Sequence, residues 1–323
     1  MGLSHNMSKL NSGIILKGVG GAYDVFCGDR AYVCTARGIF RKNGITPLPG
    51  DNVEFQIDET QESAGNIVEI KDRETFLHRP LVANVQQLLV VFTLNIPPPD
   101  FFLIDKMLLN AYMNKLNVII CVNKCDLSFD ESLLDEITGF EQAGYKIIHT
   151  SIRDREGYDE LFAAMVDKTT VFAGQSGVGK STILNALIDR EYMKTGKMSQ
   201  RIKRGKHTTR HVELVALVNK GYNDCGRMDK GNDQRSVGYI VDSPGFSNFD
   251  VGMADYRTLD RGYPEFLPYI NKCKFKECSH IHEPFCEVRN ALDGGLLHEG
   301  RYNRYVQLYG QFKETYENRF KKQ

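Results

Sequence analysis

The sequence has no apolar run as long as the roughly 18 residues that a membrane-spanning helix needs. Its longest apolar runs, 88–94 and 116–122, have the length of buried strands. The first ten residues also lack the basic start and apolar core of a secretory signal. We therefore expect a cytoplasmic protein with no membrane partner.

Net charge is absent as well, because 41 lysine and arginine residues balance 41 aspartate and glutamate residues. This balance argues against a protein that grips naked nucleic acid by overall charge, and it leaves room for local basic patches. With 41% apolar and 25% charged residues among 323, the chain is not a largely disordered one. Its length predicts two or three domains.

Three of the eight cysteines form a cluster with a histidine, and a disulfide framework is not expected in a chain of this size without a signal. The pattern Cys-x4-Cys-x-His-x5-Cys offers three thiolates and one imidazole. This donor set suits a closed, tetrahedral, structural zinc site. His282 competes with His280 for the fourth position. The predicted metal ligands are Cys273, Cys278, His280 and Cys286.

Short apolar runs separated by glycine and proline predict a small all-β unit over residues 13–70, with about five strands and an OB-like barrel fold. Such barrels often bind oligonucleotides, and a packing module without a ligand is the alternative. Arg37, Arg41 and Lys42 near a turn favour RNA.

Strands and helices alternate from residue 87 onward, which predicts a parallel sheet covered by helices on both faces. The predicted strands are 87–93, 117–122, 146–150 and 169–173, and the predicted helices are 101–114, 131–143 and 158–166. Two further strand-like runs, 212–218 and 237–241, flank a polar segment, 221–235, that is predicted to be an exposed loop. A final amphipathic helix is predicted over 301–320.

The segment GQSGVGKS matches G-x-x-x-x-G-K-[ST] between a predicted strand and a predicted helix, the context in which this motif binds nucleotide phosphates. Lys180 would reach the β- and γ-phosphates, and Ser181 would ligate Mg²⁺. The predicted phosphate-binding residues are Gly174, Gln175, Ser176, Gly177, Val178, Gly179, Lys180, Ser181 and Thr182.

Asn123-Lys124-Cys125-Asp126 is the N-K-x-D pattern of guanine-binding proteins. A carboxylate at Asp126 can accept from N1–H and the exocyclic amine of guanine, whereas adenine offers neither donor there. Asn123 and Lys124 would brace this base loop. Ser151 has the position of the loop whose backbone supports the guanine.

Asp242-Ser243-Pro244-Gly245 follows a predicted strand and matches D-x-x-G. Asp242 would hold Mg²⁺ through water, and the Gly245 N–H would sense the γ-phosphate. Upstream, either Thr208 or Thr209 would close on Mg²⁺ when the γ-phosphate is present. The sequence does not decide between the two threonines.

The residue after Gly245 is Phe246, which cannot orient an attacking water as glutamine does in Ras-like enzymes. Hydrolysis must be slow, or another group must position the water. His207 is the candidate catalytic residue, and a solvent-facing histidine in a mobile loop is the alternative reading. Gly177 stands where potassium-dependent GTPases carry asparagine, so nothing in the loop supports K⁺ use.

These motifs occur in an unusual order, because N-K-x-D precedes the phosphate loop and D-x-x-G comes last. The order is that of a circularly permuted P-loop GTPase. D-x-x-G therefore leads directly into the C-terminal segment, which we expect to couple that segment to the nucleotide state. The predicted domains are an OB-like barrel at 1–75, a permuted α/β GTPase at 76–250 and a mainly helical zinc-binding domain at 251–323.

An OB-like start, the NKCD, GQSGVGKST, GKHTT and DSPGF segments and the zinc pattern together resemble the ribosome small subunit-dependent GTPase family (RsgA, also called YjeQ or YloQ). The resemblance covers the chain from about residue 13 to the C-terminal helix. It implies a bacterial GTPase that acts late in maturation of the small ribosomal subunit and is stimulated by that subunit. It also implies that the barrel and the zinc domain contact ribosomal RNA, and it supports His207 near the attacking water.

Two alternatives to this function stay open. One is a GTP-binding, RNA-associated module with little turnover, which Phe246 keeps in play. The other is a permuted GTPase with a different RNA or the large subunit as its target. Under each reading the expected ligands are GTP or GDP with Mg²⁺ and one structural Zn²⁺, and we expect a monomer.

Overall fold

A computed structural model describes residues 10–28, 30–188, 212–218, 236–242 and 255–320. The described residues fall into two compact units, the first drawn from 1–87, 162–172 and 181–246 and the second from 88–161, 173–180 and 247–323. Within the described ranges, no helix combines the length and apolar character needed to cross a membrane. The domain boundaries expected from the sequence stay predictions.

The first unit begins with a closed, five-stranded barrel, as the sequence predicted. Its strands are β1 (Leu10–Val19), β2 (Ala22–Cys27), β3 (Arg30–Ala36), β4 (Asn52–Asp58) and β5 (Gln61–Ile70). Hydrogen-bonded strands follow the order β1-β2-β3-β5-β4, and β4 pairs back to β1. β3 and β5 run parallel, and the other pairs are antiparallel. Ile15, Val25, Phe55 and Ile67 fill the interior. A short helix α1 (Gly38–Lys42) follows β3.

A two-stranded ribbon of β6 (Phe76–His78) and β7 (Leu81–Ala83) follows the barrel. Between the barrel and this ribbon, Arg73 forms a partly buried ion pair with Asp51, in which Nε lies 2.7 Å from Oδ1. Gly50 sits where only glycine fits, since its φ is +88° and a Cβ there would lie 2.0 Å from the Ala83 carbonyl oxygen. These contacts fix the chain where it leaves the barrel.

The remaining strands of the first unit are β11 (Thr169–Ala173), β12 (Glu213–Val218) and β13 (Ser236–Asp242). They extend the barrel sheet in the order β11-β13-β12-β1, and Lys17 Nζ on β1 lies 3.1 Å from Glu213 Oε2 on β12. β11 and β13 are parallel, whereas β12 is antiparallel to both neighbours. The parallel sheet was expected from the strands between residues 87 and 173, and no direction was predicted for the strand-like runs at 212–218 and 237–241. β11 is buried throughout, whereas in β12 Glu213 and Val215 are half-buried and Leu214, Ala216 and Leu217 are buried.

The second unit contains strands in the order β10-β9-β8, with β9 and β10 parallel and in register from Ile119↔Lys146 to Asn123↔Thr150. Their carboxyl ends therefore meet at one edge. The elements are β8 (Gln87–Phe92), α2 (Phe101–Met113), β9 (Asn117–Asn123), a 3₁₀ turn (Glu131–Leu133), α3 (Leu134–Gln142), β10 (Lys146–Thr150) and α4 (Tyr158–Met165). Each predicted strand and helix of this stretch is present, within about two residues of its expected limits apart from the 3₁₀ turn that opens the 131–143 helix.

The C-terminal part of the second unit is helical, as expected, and packs around an aromatic core. Tyr263, Phe266, Tyr302 and Tyr305 lie within it, and Phe266 and Tyr305 meet edge to face at 5.0 Å. Its elements are 3₁₀ turns Tyr256–Gly262 and Pro264–Phe266, then α6 (Leu267–Ile270), α7 (Glu287–Asp293) and α8 (Glu299–Phe320); α5 (Lys180–Leu187) lies earlier, after the phosphate loop.

Candidate nucleotide and metal sites

The glycine-rich segment 174–181 turns sharply between β11 and α5. Gly174, Gly177 and Gly179 have φ values of +141°, +86° and +101°, which side chains rarely allow. A Cβ on Gly174 would lie 2.0 Å from the Val91 carbonyl oxygen, so the loop start presses directly against β8. Glycine at these positions lets the backbone curl as a phosphate cradle requires.

Lys180 opens α5 and its ammonium group turns back into this loop. Nζ donates to the carbonyl oxygens of Gly174 and Gln175, both at 2.6 Å. Burial lowers the pKa of Lys180 from its ordinary value, because the loop withdraws the ammonium from water. A cation held in a concave loop of backbone groups is suited to an anionic phosphate.

The base loop, Asn123–Asp126, is tied directly to the phosphate loop. Asn123 Nδ2 donates to the Val178 carbonyl at 2.8 Å, and a Cβ on Gly179 would approach the same nitrogen to 2.3 Å. Lys124 has a φ of +65° and donates to the carbonyls of Gly177 at 2.9 Å and Ile96 at 2.7 Å. Asn123 and Lys124 of the N-K-x-D motif therefore connect the base loop with the phosphate loop of the expected nucleotide site.

Asp126 is exposed at the end of the base loop, where it faces the loop that follows β10. Ser151 Oγ lies 3.1 Å from Asp126 Oδ1 and 3.1 Å from Asp154 Oδ2. The carboxylate of Asp126 thus stands beside the Ser151 loop, as the guanine reading requires. Asp154 was missed by sequence reasoning, since its position three residues after Ser151 matches no pattern that marks a base site.

Thr150 is a second residue that the sequence did not single out for a role of its own. It is fully buried, and its hydroxyl donates to Asn123 Oδ1 at 2.9 Å. The Cys121 thiol lies 3.3 Å from the same hydroxyl. Thr150 fixes which end of the Asn123 amide faces the phosphate loop, and only the pairing of β9 with β10 reveals it.

Several predicted residues lie outside the described ranges: His207, Thr208, Thr209, Gly245 and Phe246, together with the loop 221–235. Among the described ones, Asp242 closes β13 at the same end as the carboxyl end of β11, from which the phosphate loop continues. Ser181 and Thr182 are exposed in the first turn of α5. The Mg²⁺ assignments for these residues stay predictions.

The second cluster is formed by Cys273, Cys278, His280 and Cys286, whose ligand atoms all lie within 4.8 Å of one another. His280 Nδ1 is 3.4 Å from Cys286 Sγ and 3.5 Å from Cys273 Sγ, and those two sulfurs are 4.0 Å apart. Tetrahedral zinc with Zn–S of about 2.3 Å requires sulfurs roughly 3.8 Å apart. The cluster could therefore hold a metal ion.

The surroundings of this cluster orient its ligands. His280 Nε2 faces Asp260 Oδ2 at 3.4 Å, which leaves Nδ1 directed at the thiols, and its backbone adopts a φ of +62°. The Glu283 carboxylate accepts from the backbone N–H groups of Ser279, Ile281 and His282. His282 is exposed and its ring is not among the four clustered ligands. The arrangement favours His280 over His282.

Comparison with known proteins gives a consistent result along the whole chain. The model of the RsgA GTPase family matches residues 69–224, and that of the RsgA N-terminal domain matches residues 12–67. Two relatives, from Ruminiclostridium cellulolyticum and Alkaliphilus metalliredigens, are both called small ribosomal subunit biogenesis GTPase RsgA. The first is 45% identical over 96% of this chain and 96% of its own length, and the second 39% over 95% and 99%.

Two solved structures share the fold. YloQ, described as a circularly permuted GTPase, aligns with a TM-score of 0.75 and 33% identity over 97% of this chain and 99% of its own. YjeQ from Thermotoga maritima aligns with a TM-score of 0.75 and 30% identity over 94% and 99%. The permuted order of the nucleotide motifs agrees with the description of YloQ, and the chain belongs to the RsgA GTPase family.

Proposed function

We propose that this chain hydrolyses GTP as a late maturation factor of the small ribosomal subunit, binding that subunit and its RNA. The observation that carries the nucleotide part is the direct bond from the base loop to the phosphate loop, Asn123 Nδ2 to the Val178 carbonyl at 2.8 Å. The ribosomal part rests on relatives named for small-subunit biogenesis at 45% and 39% identity.

In this proposal each motif has one task. The backbone N–H groups of 174–179 and the Lys180 ammonium bind the phosphates, and the carboxylate of Asp126 accepts from guanine N1–H and its amine. Ser181, Asp242 and one of Thr208 and Thr209 hold Mg²⁺, whose charge offsets that developing on the transferred phosphoryl group. His207 orients the attacking water, a task for which Phe246 has no suitable group.

The Cys₃His cluster is proposed to hold one structural Zn²⁺. Three thiolates and an imidazole supply four protein ligands, which leaves no open position for catalysis. Zn²⁺ would favour the thiolate forms of Cys278 and Cys286, whose thiol pKa values burial otherwise raises. The metal then stabilises the fold of the C-terminal part.

The test is steady-state GTP hydrolysis by the full chain, alone and with purified small or large ribosomal subunits. We expect slow turnover alone and strong stimulation by the small subunit only, and His207→Ala should remove the stimulated rate while leaving GDP binding intact. Equal response to both subunits would favour a different RNA target. Nucleotide binding with no turnover in any mixture would favour the alternative of a GTP-binding module.

A further inference from the structure

Five charged side chains meet where the C-terminal helix α8 packs on α2 and α3. Arg301 and Arg304, one turn apart on α8, face Asp105 on α2, Glu136 in the first turn of α3 and Glu265 in the 3₁₀ turn Pro264–Phe266. The side chains of Asp105 and Arg301 are 1% and 2% exposed. Charges so deeply buried are costly unless they are fully paired.

Every charged side chain of this network has an oppositely charged partner. Each oxygen of the Asp105 carboxylate accepts a hydrogen bond from one arginine, Oδ1 from Arg301 and Oδ2 from Arg304. Arg304 also pairs with Glu136: Nη1 donates to Oε1 at 2.9 Å, and Nη2 lies 2.8 Å from Oε2 without forming a hydrogen bond. Arg301 pairs with Glu265, and the two carboxylates hold its pKa above the ordinary value although burial acts to lower it.

Aromatic rings complete the surroundings of both guanidinium groups. Arg301 lies over the rings of Phe140 at 5.1 Å and Tyr145 at 5.5 Å, and Arg304 lies over Phe101 at 5.6 Å. Guanidinium groups over aromatic faces gain further attraction when desolvated. One turn of α8 thereby touches α2, α3 and the residue that precedes β10.

These are the elements that carry the guanine side of the nucleotide site. α2 follows segment 93–100, whose Ile96 carbonyl accepts from Lys124. α3 follows the base loop, and β10 ends at Thr150, which holds Asn123. Glu136 lies in the first turn of α3 and Asp105 is the fifth residue of α2, so both are near the helix ends that meet these loops.

The helices also pack too closely to slide past one another. A Cβ on Gly139 would lie 2.6 Å from His298 Cγ, and one on Gly300 would lie 2.6 Å from Glu136 Oε1. His298 Nε2 also pairs with Asp135 Oδ2 at 3.0 Å. A change in the position of α8 must therefore move α3 as well, because neither helix has free space at the contact.

We propose that Arg304, assisted by Arg301, is a positioning residue for guanine recognition, through which the C-terminal helix sets how tightly the base is held. Removal of the Arg304 guanidinium takes one cationic partner from Asp105 and one from Glu136, and this allows α2 and α3 to shift. Lys124 and Asp126 then move relative to the phosphate loop. The inference rests on the proposed function only in taking guanine nucleotide as the ligand.

The test compares wild type with Arg304→Met, which keeps the stem, and Arg304→Lys, which keeps the charge without the guanidinium. Affinities are measured by calorimetry for GDP and for inosine diphosphate, which lacks the exocyclic amine. We expect Arg304→Met to weaken GDP binding about 10-fold and to reduce the preference for GDP over inosine diphosphate, with Arg304→Lys intermediate. The KM for GTP should rise while kcat changes less than about twofold.

A matched control is Arg257→Met, since Arg257 is exposed on the same C-terminal part, where it pairs with Asp255 and lies over the ring of Tyr316, and it belongs to no ion pair of the network. It should bind both nucleotides as wild type does. A folded, metal-loaded Arg304→Met with unchanged GDP affinity and preference would overturn the inference. If that variant does not fold, Glu136→Gln takes its place, because it removes only the ion pair between Arg304 and α3. Its affinities for GDP and inosine diphosphate then decide the question in the same way. Failure of wild type to bind GDP would instead contradict the proposed function.

Discussion

At the scale of single residues, the proposed function makes the carboxylate of Asp126 the group that selects guanine. We expect Asp126→Asn to weaken GDP binding about 10- to 100-fold, because an amide cannot accept from two guanine donors as a carboxylate does. Xanthosine diphosphate, which offers an oxygen in place of the amine, should gain affinity. Competition binding with the two nucleotides measures both effects.

A suitable control for this substitution is Asp154→Asn, since Asp154 also lies 3.1 Å from Ser151 Oγ but belongs to no base-reading motif. It should leave the preference for guanine over xanthine unchanged. If Asp154→Asn switches the preference and Asp126→Asn does not, the assignment of the base-reading carboxylate is wrong.

Gly179 gives a second prediction at this scale. Its φ is +101°, and a Cβ there would lie 2.3 Å from Asn123 Nδ2, the atom that donates to Val178. Gly179→Ala should displace Asn123 and reduce GDP affinity by on the order of 100-fold or more, since a bridging hydrogen bond and the loop geometry are lost together. Equilibrium binding of fluorescent GDP measures this loss.

Gly177→Ala is the matched comparison, because its φ of +86° brings similar backbone strain but its Cβ would meet nothing closer than the Pro97 ring at 3.7 Å. It should cost only the strain, about 1 kcal/mol in folding stability. Equal losses of GDP affinity in the two variants would show that backbone strain, and not the contact with Asn123, is what Gly179 avoids.

Helices and strands were predictable from the sequence where their period was regular. The runs 146–150 and 169–173 appear as β10 and β11 without change. β11 is buried along its whole length, whereas β10 buries only Ile148 and Thr150. The antiparallel direction of β12 was not predictable, because a short apolar segment records its burial and not the direction of its neighbours. That information lies in the pairing of Leu214 with Val241 and of Lys17 with Glu213.

Some residues of the candidate site were likewise predictable from the sequence, and others were not. Asn123, Lys124 and Lys180 were predictable because their backbone and charge requirements recur as short motifs. Thr150 and Asp154 act through tertiary contacts with motif residues and carry no spacing signal of their own. The ion pairs of Asp105 with Arg301 and Arg304 join residues almost 200 positions apart, which no local pattern encodes.

The metal cluster yields a prediction at the scale of an element. The segment 271–286 has little regular structure. The metal-ligand cluster, the Glu283 carboxylate and the hydroxyls of Tyr302 and Tyr305, which donate to the carbonyls of His280 and Ser279, hold it together. We expect one zinc ion per chain by elemental analysis. Cys286→Ser should lose that ion and lower the melting temperature by several degrees, since a ligand is lost from a site that contributes folding energy.

His282→Ala is the control, because His282 is exposed and outside the four-ligand cluster. It should retain zinc and the wild-type melting temperature. Loss of zinc from His282→Ala with retention in His280→Ala would reverse the choice of the fourth ligand. A metal other than zinc in the purified protein would leave the ligands in place and correct the identity of the ion.

Charge is balanced over the whole molecule, so association with a polyanionic subunit must depend on local patches. Lys272, Lys274 and Lys276 are exposed beside the metal cluster, and Lys274 lies 4.7 Å from the ring of exposed Phe285. We expect their joint replacement by glutamine to weaken small-subunit binding. The slope of log affinity against log salt should fall by about one for each phosphate contact removed.

Three exposed lysines elsewhere, Lys115, Lys146 and Lys313, make a control with the same change in net charge. If overall charge drives association, both triple variants will lose affinity and salt dependence equally. If the patch beside the metal cluster is a contact surface, only its variant will do so, and GTP hydrolysis without subunits will be unchanged in both. Sedimentation with subunits at several salt concentrations separates the two outcomes. Salt screens long-range attraction at every site, whereas a phosphate contact is lost only where its lysine is removed.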